Sequence, residues 1–303
     1  MTTDSRSRRK QRPQRGHRVD QDALLEVKQV VADTPLQADL LIELLHLLQD
    51  RFGQLKKRHL VALAELLKLA PTEVHEVASF YHHFDLTDDA SSSAPLLKLR
   101  VCNSLSCQMA GSESLLATLS RTLGDRVQIQ PVPCVGRCDT APVTVLGQRV
   151  IAAATEAKVQ RAVETNQTTA LLPAKAEDYA SYRKKGGYRL LQQLDNGELS
   201  RGQVLDGLDA SGLRGLGGAG FPVGRKWRLV SEQPAPRYLT VNIDEGEPGT
   251  FKDRHYLEQQ PHRLLEGALI AARVVGCDAI YLYLRDEYAG CRALLQREIA
   301  ALQ

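Results

Sequence analysis

Two cysteine pairs are the residues of this sequence best suited to chemistry. "VCNSLSC" sets four residues between Cys102 and Cys107, and "PCVGRC" sets three between Cys134 and Cys138, with 26 residues separating the pairs. Thiolates are soft ligands, and four of them suit zinc or an iron–sulfur cluster. Zinc sites more often use C-x2-C pairs in tight knuckles, whereas a cluster spreads its thiolates round a larger inorganic core, which suits wider spacings. No Pro follows Cys138 and no third close Cys exists, so the bacterial four-iron run is absent. Spacing alone leaves a two-iron cluster, zinc and unligated thiols open. Backbone amides around Ser104, Gly136 and Arg137 are candidate donors to the sulfurs. The remaining cysteines, Cys277 and Cys291, read as ordinary packed residues.

A second candidate is "GLRGLGGAGFPVGRKW" (212–227), with six glycines in thirteen residues. Gly215, Gly217 and Gly220 satisfy G-x-G-x-x-G. A dinucleotide fingerprint also needs a strand before the glycines and a helix opening at the third. Here "RGQVLDGLDASGL" reads as helix, and Pro222 and Gly224 argue against an immediate helix after the loop. The glycines still let backbone amides reach a phosphate or a flat ring. Lys226 adds a cation, and Phe221 and Trp227 add flat surface. A third stretch, "VNIDEGEPGTFKDR" (241–254), gathers Asn242, Asp244, Glu245 and Glu247 at the carboxyl end of an expected strand. Open α/β sheets bind ligands at that edge. A solvated acidic loop is the alternative.

The elements that must position these residues follow from periodicity. Leu40, Leu41, Leu44, Leu45 and Leu48 repeat at helical spacing up to Gly53, and "RHLVALAELLKLA" and "PTEVHEVASFYHHF" continue the pattern. Residues 21–90 therefore read as a helical bundle, with His75, His82 and His83 as bundle histidines. "SSSAP" marks a boundary. Residues 91–165 then run strand ("LLKLRVC"), helix (112–124), strand ("VQIQPV"), hairpin round Gly147 and closing helix, the order of a thioredoxin-like domain. Each cysteine pair follows a strand. Residues 166–205 read as a linker, with "YRKKGGY" breaking any pattern. In 206–303, "RYLTVNI", "HRLLEGALIAARVVG" and "AIYLYL" alternate as α/β. The fold class is thus α+β and α/β: a bundle, a thioredoxin-like domain and a partial α/β domain.

Composition limits the partners. The chain has 303 residues, is 43% apolar and carries a formal net charge of +3, so it is no polyanion binder as a whole and nucleic acid is not an expected partner. Residues 1–20 hold Arg6, Arg8, Arg9, Lys10, Arg12, Arg15 and Arg18 against Asp4 and Asp20, a balance of +5 that leaves −2 elsewhere. That tail lacks apolar periodicity and reads as disordered. Nothing approaches the ~18 apolar residues of a membrane span, so direct membrane insertion is not expected and a cytoplasmic protein is the default.

"VASFYHHF", "VCNSLSC" and "PCVGRCDTAP" resemble the thioredoxin-like two-iron ferredoxin subunit of bacterial NADH dehydrogenase and related NAD-reducing enzymes, over about residues 25–165. The resemblance implies a [2Fe-2S] cluster on Cys102, Cys107, Cys134 and Cys138. "LRGLGGAGFPVGRKW" and "NIDEGEPGTFKDR" resemble the flavoprotein subunit of the same enzymes. There the first loop cradles FMN and the second closes the site. By that resemblance Gly215, Gly217, Lys226, Asn242, Asp244 and Glu245 contact the flavin, and Gly218, Phe221 and Glu247 face NAD(H). No side chain is required as a general base.

Leu216 stands where that family usually has Arg, Val223 where it has Thr, and Leu229 where an aromatic is common. These departures, and the fusion of the two domains, look most similar to the beta subunit of NAD-dependent formate dehydrogenases. The implied partner is the catalytic molybdenum- or tungsten-containing formate dehydrogenase subunit. The rivals are a diaphorase chain serving hydrogenase or quinone-reductase subunits, a non-enzymatic two-iron ferredoxin fragment, and a zinc-stabilised interaction module. Family flavoproteins continue with a second flavin stretch, a ubiquitin-like domain and a four-iron motif, so the resemblance also implies a truncated or split chain.

Overall fold

In a computed structural model, residues 19–81, 83–90, 97–123 and 126–302 are described; they fall into two compact units, within Met1–Pro95 and Leu96–Gln303. The basic tail through Arg18, His82, the "SSSAP" boundary, the Gly124 helix stop and the end at Gln303 lie outside the described residues.

The first unit is helical. Helix α1 (Gln21–Val30) starts at Asp20, whose carboxylate accepts from the N–H of Asp22 at 2.9 Å and of Ala23 at 3.1 Å. Helix α2 (Leu41–Phe52) ends on Gly53 in the left-handed region, at φ 70°, as the glycine signal implies. Helices α3 (Lys57–Leu67) and α4 (Pro71–Phe80) follow, the latter opened by proline. Strands β1 (Leu55–Lys56) and β2 (Leu86–Thr87) pair in parallel. Leu44, Leu48, Leu55, Leu63 and Val74 form the core. His75 is exposed, while His46 is buried with its ring 4.8 Å from that of His83 and 4.9 Å from Phe84. Buried His59 meets the Glu26 carboxylate at 2.8 Å, and Arg58 meets the same oxygen.

The second unit begins with a four-stranded sheet, β3 (Lys98–Cys102), β4 (Gln128–Val132), β5 (Thr144–Leu146) and β6 (Arg149–Ile151), in the order β4-β3-β5-β6. Strands β3 and β4 are parallel, and β5 and β6 form the hairpin expected round Gly147. Helices α5 (Leu105–Met109), α6 (Ser112–Leu123) and α7 (Glu156–Glu164) complete the domain. Leu99, Val101, Leu119, Leu146 and Val159 bury against one another between sheet and helices. The parallel register sets Cys102 opposite Val132. Both cysteine pairs therefore leave the sheet at one edge.

The stretch expected as a linker is folded. It holds α8 (Tyr179–Lys184) and α9 (Arg189–Asp195), each too short to show periodicity, before α10 (Arg201–Ser211). Asp178 caps α8 through the Ser181 N–H at 2.7 Å, and Ser200 caps α10. Tyr188 is pinned in the interior by tertiary contacts. Its hydroxyl lies 2.8 Å from His262 Nδ1, and His262 Nε2 lies 2.7 Å from Glu298, all three buried.

Helix α11 (Val223–Ser231) corrects a second expectation. It starts directly after the glycine loop, with Pro222 at its N-cap. Proline lacks only an N–H that a helix start leaves unpaired, and Gly224 in the first turn packs against the Asp209 side chain. Strands β7 (Tyr238–Ile243) and β8 (Ala279–Leu284) are parallel throughout, joined through α12 (Lys252–Gln259) and α13 (Pro261–Val275). Helix α14 (Ala289–Ala300) follows.

The two units should differ in acid sensitivity. Burial holds the His59 pKa below its ordinary value, despite the Glu26 hydrogen bond. Its contribution to the first unit is present above about pH 6.5 and is lost as pH falls below it, because the unfolded chain binds the proton more readily. In the second unit burial works to raise the Glu298 pKa, but hydrogen bonds from His262 and Arg297 outweigh it and hold it low. That contribution is lost only below about pH 4.3. Hydrogen exchange followed from pH 7.5 to 5 should show the first unit's helices losing protection before β3 and β4.

Candidate cluster and flavin site

The four sulfurs meet at the shared edge of β3 and β4. Cys102 lies within hydrogen-bonding reach of Cys107 and Cys134, and Cys134 Sγ is 3.4 Å from Cys138 Sγ. Among the described residues no three ligating side chains close round one ion. The sulfurs instead run as a chain of neighbours, and a two-iron core takes its four thiolates as two pairs, one on each iron. Amides point at them: Ser104 and Val135 toward Cys102, and Gly136 toward Cys134 Sγ at 3.4 Å. The hydrogen bond from Cys134 holds the Cys102 thiol below its ordinary pKa, and the same contact raises that of Cys134. The donor set, four convergent sulfurs with N–H groups aimed at them, fits an iron–sulfur cluster. The other cysteines lie apart from it. Cys291 is fully buried, which pushes its thiol up to about 12, and Cys277 is half-buried.

The acidic loop after β7 presses on this site. The Gly249 N–H donates to Cys138 Sγ at 3.2 Å. Glu245, expected at the flavin, is 4% exposed and faces the protein interior. Its carboxylate accepts from the N–H of Asp253 at 2.9 Å and of Arg254 at 3.3 Å, at the start of α12, and from the Tyr288 hydroxyl at 3.1 Å. Burial works to raise its pKa, but these hydrogen bonds and Lys252 outweigh it and hold it below the usual carboxylate range. Asn242 and Asp244 are exposed, with Asn242 Oδ1 accepting from the Asp244 N–H at 2.9 Å. Glu247 is also exposed.

Three residues that the motifs did not single out lock the loop to the four-cysteine site. Arg254 donates from Nε to the Gly136 carbonyl at 3.1 Å and pairs with Asp139 at 2.5 Å and Glu258 at 2.9 Å. Arg285 donates to the carbonyls of Glu245 and Cys134. The fully buried Tyr288 packs its ring on Gly136, at φ 69°, where an added Cβ would strike it. Their signal is position: Arg285 and Tyr288 follow β8, whose carboxyl end lies beside that of β7.

The glycine loop stands open. It is closed by Gly215 N–H to the Phe221 carbonyl at 3.0 Å and by Arg214 to the Gly220 carbonyl at 2.9 Å. A Cβ added at Gly217 or Gly218 would meet nothing within 4 Å, and at Gly215 nothing nearer than 3.8 Å. No protein neighbour stands over Gly217, so its backbone is open. Phe221 is partly exposed beneath the Arg225 guanidinium, 5.7 Å from its centroid, and Lys226 is exposed on α11. Among the described residues no hydrogen bond joins this loop to the acidic loop. They share a frame, because α11 packs on α13 and α13 on β7.

Residues 27–167 match the family model of the thioredoxin-like [2Fe-2S] ferredoxin, and residues 208–303 match the Nuo51 FMN-binding domain. The chain is a thioredoxin-like [2Fe-2S] ferredoxin domain followed by a Nuo51 FMN-binding domain. It is 48% identical over 107 residues to the F chain of the NADH-quinone oxidoreductase of Aquifex aeolicus, covering 35% of this chain and 25% of that protein. It is 31% identical over 295 residues to the alpha chain of the NAD-reducing hydrogenase HoxS of Cupriavidus necator, covering 87% of this chain and 48% of that protein. A crystal structure of an NAD+-reducing [NiFe]-hydrogenase in the H2-reduced state superposes with TM-score 0.70 at 27% identity, over 88% of this chain and 49% of that one. The chain thus spans about half the length of these relatives or less. Among the described residues no helix is long and apolar enough to cross a membrane.

Removing one partner of a buried ion pair strands the other. Arg254→Ala should destabilise the second unit by about 3–5 kcal/mol and separate α12 from the cluster loop. Arg254→Lys should recover only part of this, because one ammonium cannot serve three acceptors in fixed directions. Urea unfolding monitored by far-UV circular dichroism checks both.

Proposed function

We propose that this chain is a diaphorase-type electron-transfer subunit of the cytoplasm, moving electrons between NAD(H), FMN and a [2Fe-2S] cluster. The observation that carries the reading is the hydrogen-bonded seam between the acidic loop and the four-sulfur site. Bound FMN supplies the conversion between two-electron exchange with NAD(H) and one-electron exchange with iron–sulfur centres. The chain supplies position and electrostatics. Cys102, Cys107, Cys134 and Cys138 hold the cluster. Open backbone at Gly215 and Gly217, with Lys226, takes the flavin phosphate and ring; Asn242 and Asp244 border it from the end of β7. Glu245 serves the flavin by bracing that loop from within. Gly218 and the exposed ring of Phe221 face NAD(H). Glu247 orients the nicotinamide nucleotide and repels an extra phosphate.

For the catalytic partner, the two-domain fusion, the four cysteines and the changes at Leu216, Val223 and Leu229 favour a molybdenum- or tungsten-containing formate dehydrogenase subunit. A second reading, a hydrogenase partner, is favoured by the relative that aligns across both domains. Metal analysis of the copurifying complex separates them: molybdenum or tungsten for the first, nickel for the second.

Anaerobic loading with iron, sulfide and FMN should give one two-iron electron paramagnetic resonance signal on reduction and NADH–ferricyanide activity. Cys134→Ser should abolish the signal and leave bound flavin reducible by NADH. Zinc without iron, or a cluster with neither flavin nor NADH–ferricyanide activity, would reject the proposal. Glu247→Ala should raise the NADPH-to-NADH ratio of kcat/KM by roughly tenfold, about 1.4 kcal/mol; an unchanged ratio removes Glu247 from nucleotide selection.

A further inference from the structure

We infer that the Gly249 amide, carried on the acidic loop of the flavin domain, is a cross-domain hydrogen-bond donor that raises the reduction potential of the cluster held by Cys102, Cys107, Cys134 and Cys138. This rests on the proposed cluster. Three of the amides aimed at the sulfurs, from Ser104, Val135 and Gly136, belong to the cysteine loops themselves. The fourth comes from a residue 111 positions away, and its N–H reaches Cys138 Sγ at 3.2 Å. An N–H dipole points its positive end at the sulfur. Reduction adds negative charge to the cluster, so the reduced state gains more from that dipole and the potential rises.

The loop is built to hold this donor. Glu247, Pro248, Gly249 and Thr250 form a turn closed by the Thr250 N–H on the Glu247 carbonyl at 3.1 Å, with Gly249 at φ 88°. Proline second and a positive-φ glycine third are the residues of a type II turn. The buried Glu245 carboxylate braces the loop before the turn, and Arg254 ties down the helix after it. Glu247, the residue proposed to meet the nucleotide, is the first residue of the same turn. The residue proposed to meet the nucleotide and the amide that donates to Cys138 are therefore two positions apart in one turn.

The test uses the full chain, loaded with cluster and labelled with 15N-glycine. Pulsed electron paramagnetic resonance of the reduced cluster should detect two coupled glycine nitrogens, Gly136 and Gly249. This measurement needs no substitution, so it stands whatever the variants do. Gly249→Ala meets no steric obstacle but strains the turn, and its alanine carries no label. It should lose one 15N coupling and shift the midpoint potential to more negative values. Gly246→Ala, on the same loop in open space and without a positive φ, should match the unsubstituted chain in both. Coupling from Gly136 alone would overturn the inference while the cluster stands, as would a Gly249→Ala chain labelled with 15N-alanine that shows its retained N–H drawn off the cluster yet keeps an unchanged potential. A chain with no two-iron signal would overturn the proposed function and this inference with it.

Discussion

Two almost fully buried guanidiniums hold the redox unit together. Arg254 and Arg285 are 4% and 6% exposed, and each reaches from the flavin domain to the second cysteine loop, Arg254 to the Gly136 carbonyl and Arg285 to that of Cys134. A charge taken from water is tolerated only when paired and hydrogen-bonded. Asp139 and Glu258 meet Arg254, and Glu287 meets Arg285. Such a network has few alternative arrangements. A guanidinium presents its donors in a fixed plane, and here the acceptors are carbonyls whose positions the cysteine loops already set. The interface therefore fixes an orientation as well as an attachment.

That orientation makes the local features intelligible. Parallel pairing of β3 with β4 brings both cysteine pairs to one edge, and parallel pairing of β7 with β8 does the same for the acidic loop and the Arg285–Tyr288 segment. Two carboxyl edges are then clasped face to face. Gly136 must be glycine because the Tyr288 ring occupies the place of its Cβ. Glu245 is buried because it caps α12 and accepts from Tyr288 in the same step.

The amphipathic helices and alternating strands are legible in the sequence because their order depends on local periodicity. So are the cysteine pairs, whose placement follows from strands that end together. The buried role of Glu245 is not legible. Within "NIDEGEPG" its carboxylate is indistinguishable from those of Asp244 and Glu247, and only the incoming Tyr288 and the start of α12 separate them. The fold of 166–205 escapes for a related reason. Helices of six and seven residues carry no reliable period, and Tyr188 is buried by His262, 74 positions away. Pro222 reads as a break because proline ends helices and also begins them, and the preceding loop decides which.

The charges round the cluster have a further consequence. Arg137, Arg254 and Arg285 are cations close to the sulfurs, yet Asp139, Glu258 and Glu287 are paired with them. Opposite charges at 2.5 to 3.0 Å cancel much of one another's field at the cluster. Pairing thus weakens the net field of the groups that bind the two domains. What remains uncancelled is the set of N–H dipoles aimed at sulfur, from Ser104, Val135, Gly136 and Gly249. Cohesion is assigned to paired charges and electronic tuning to oriented amides. Of those four amides only that of Gly249 belongs to the flavin domain.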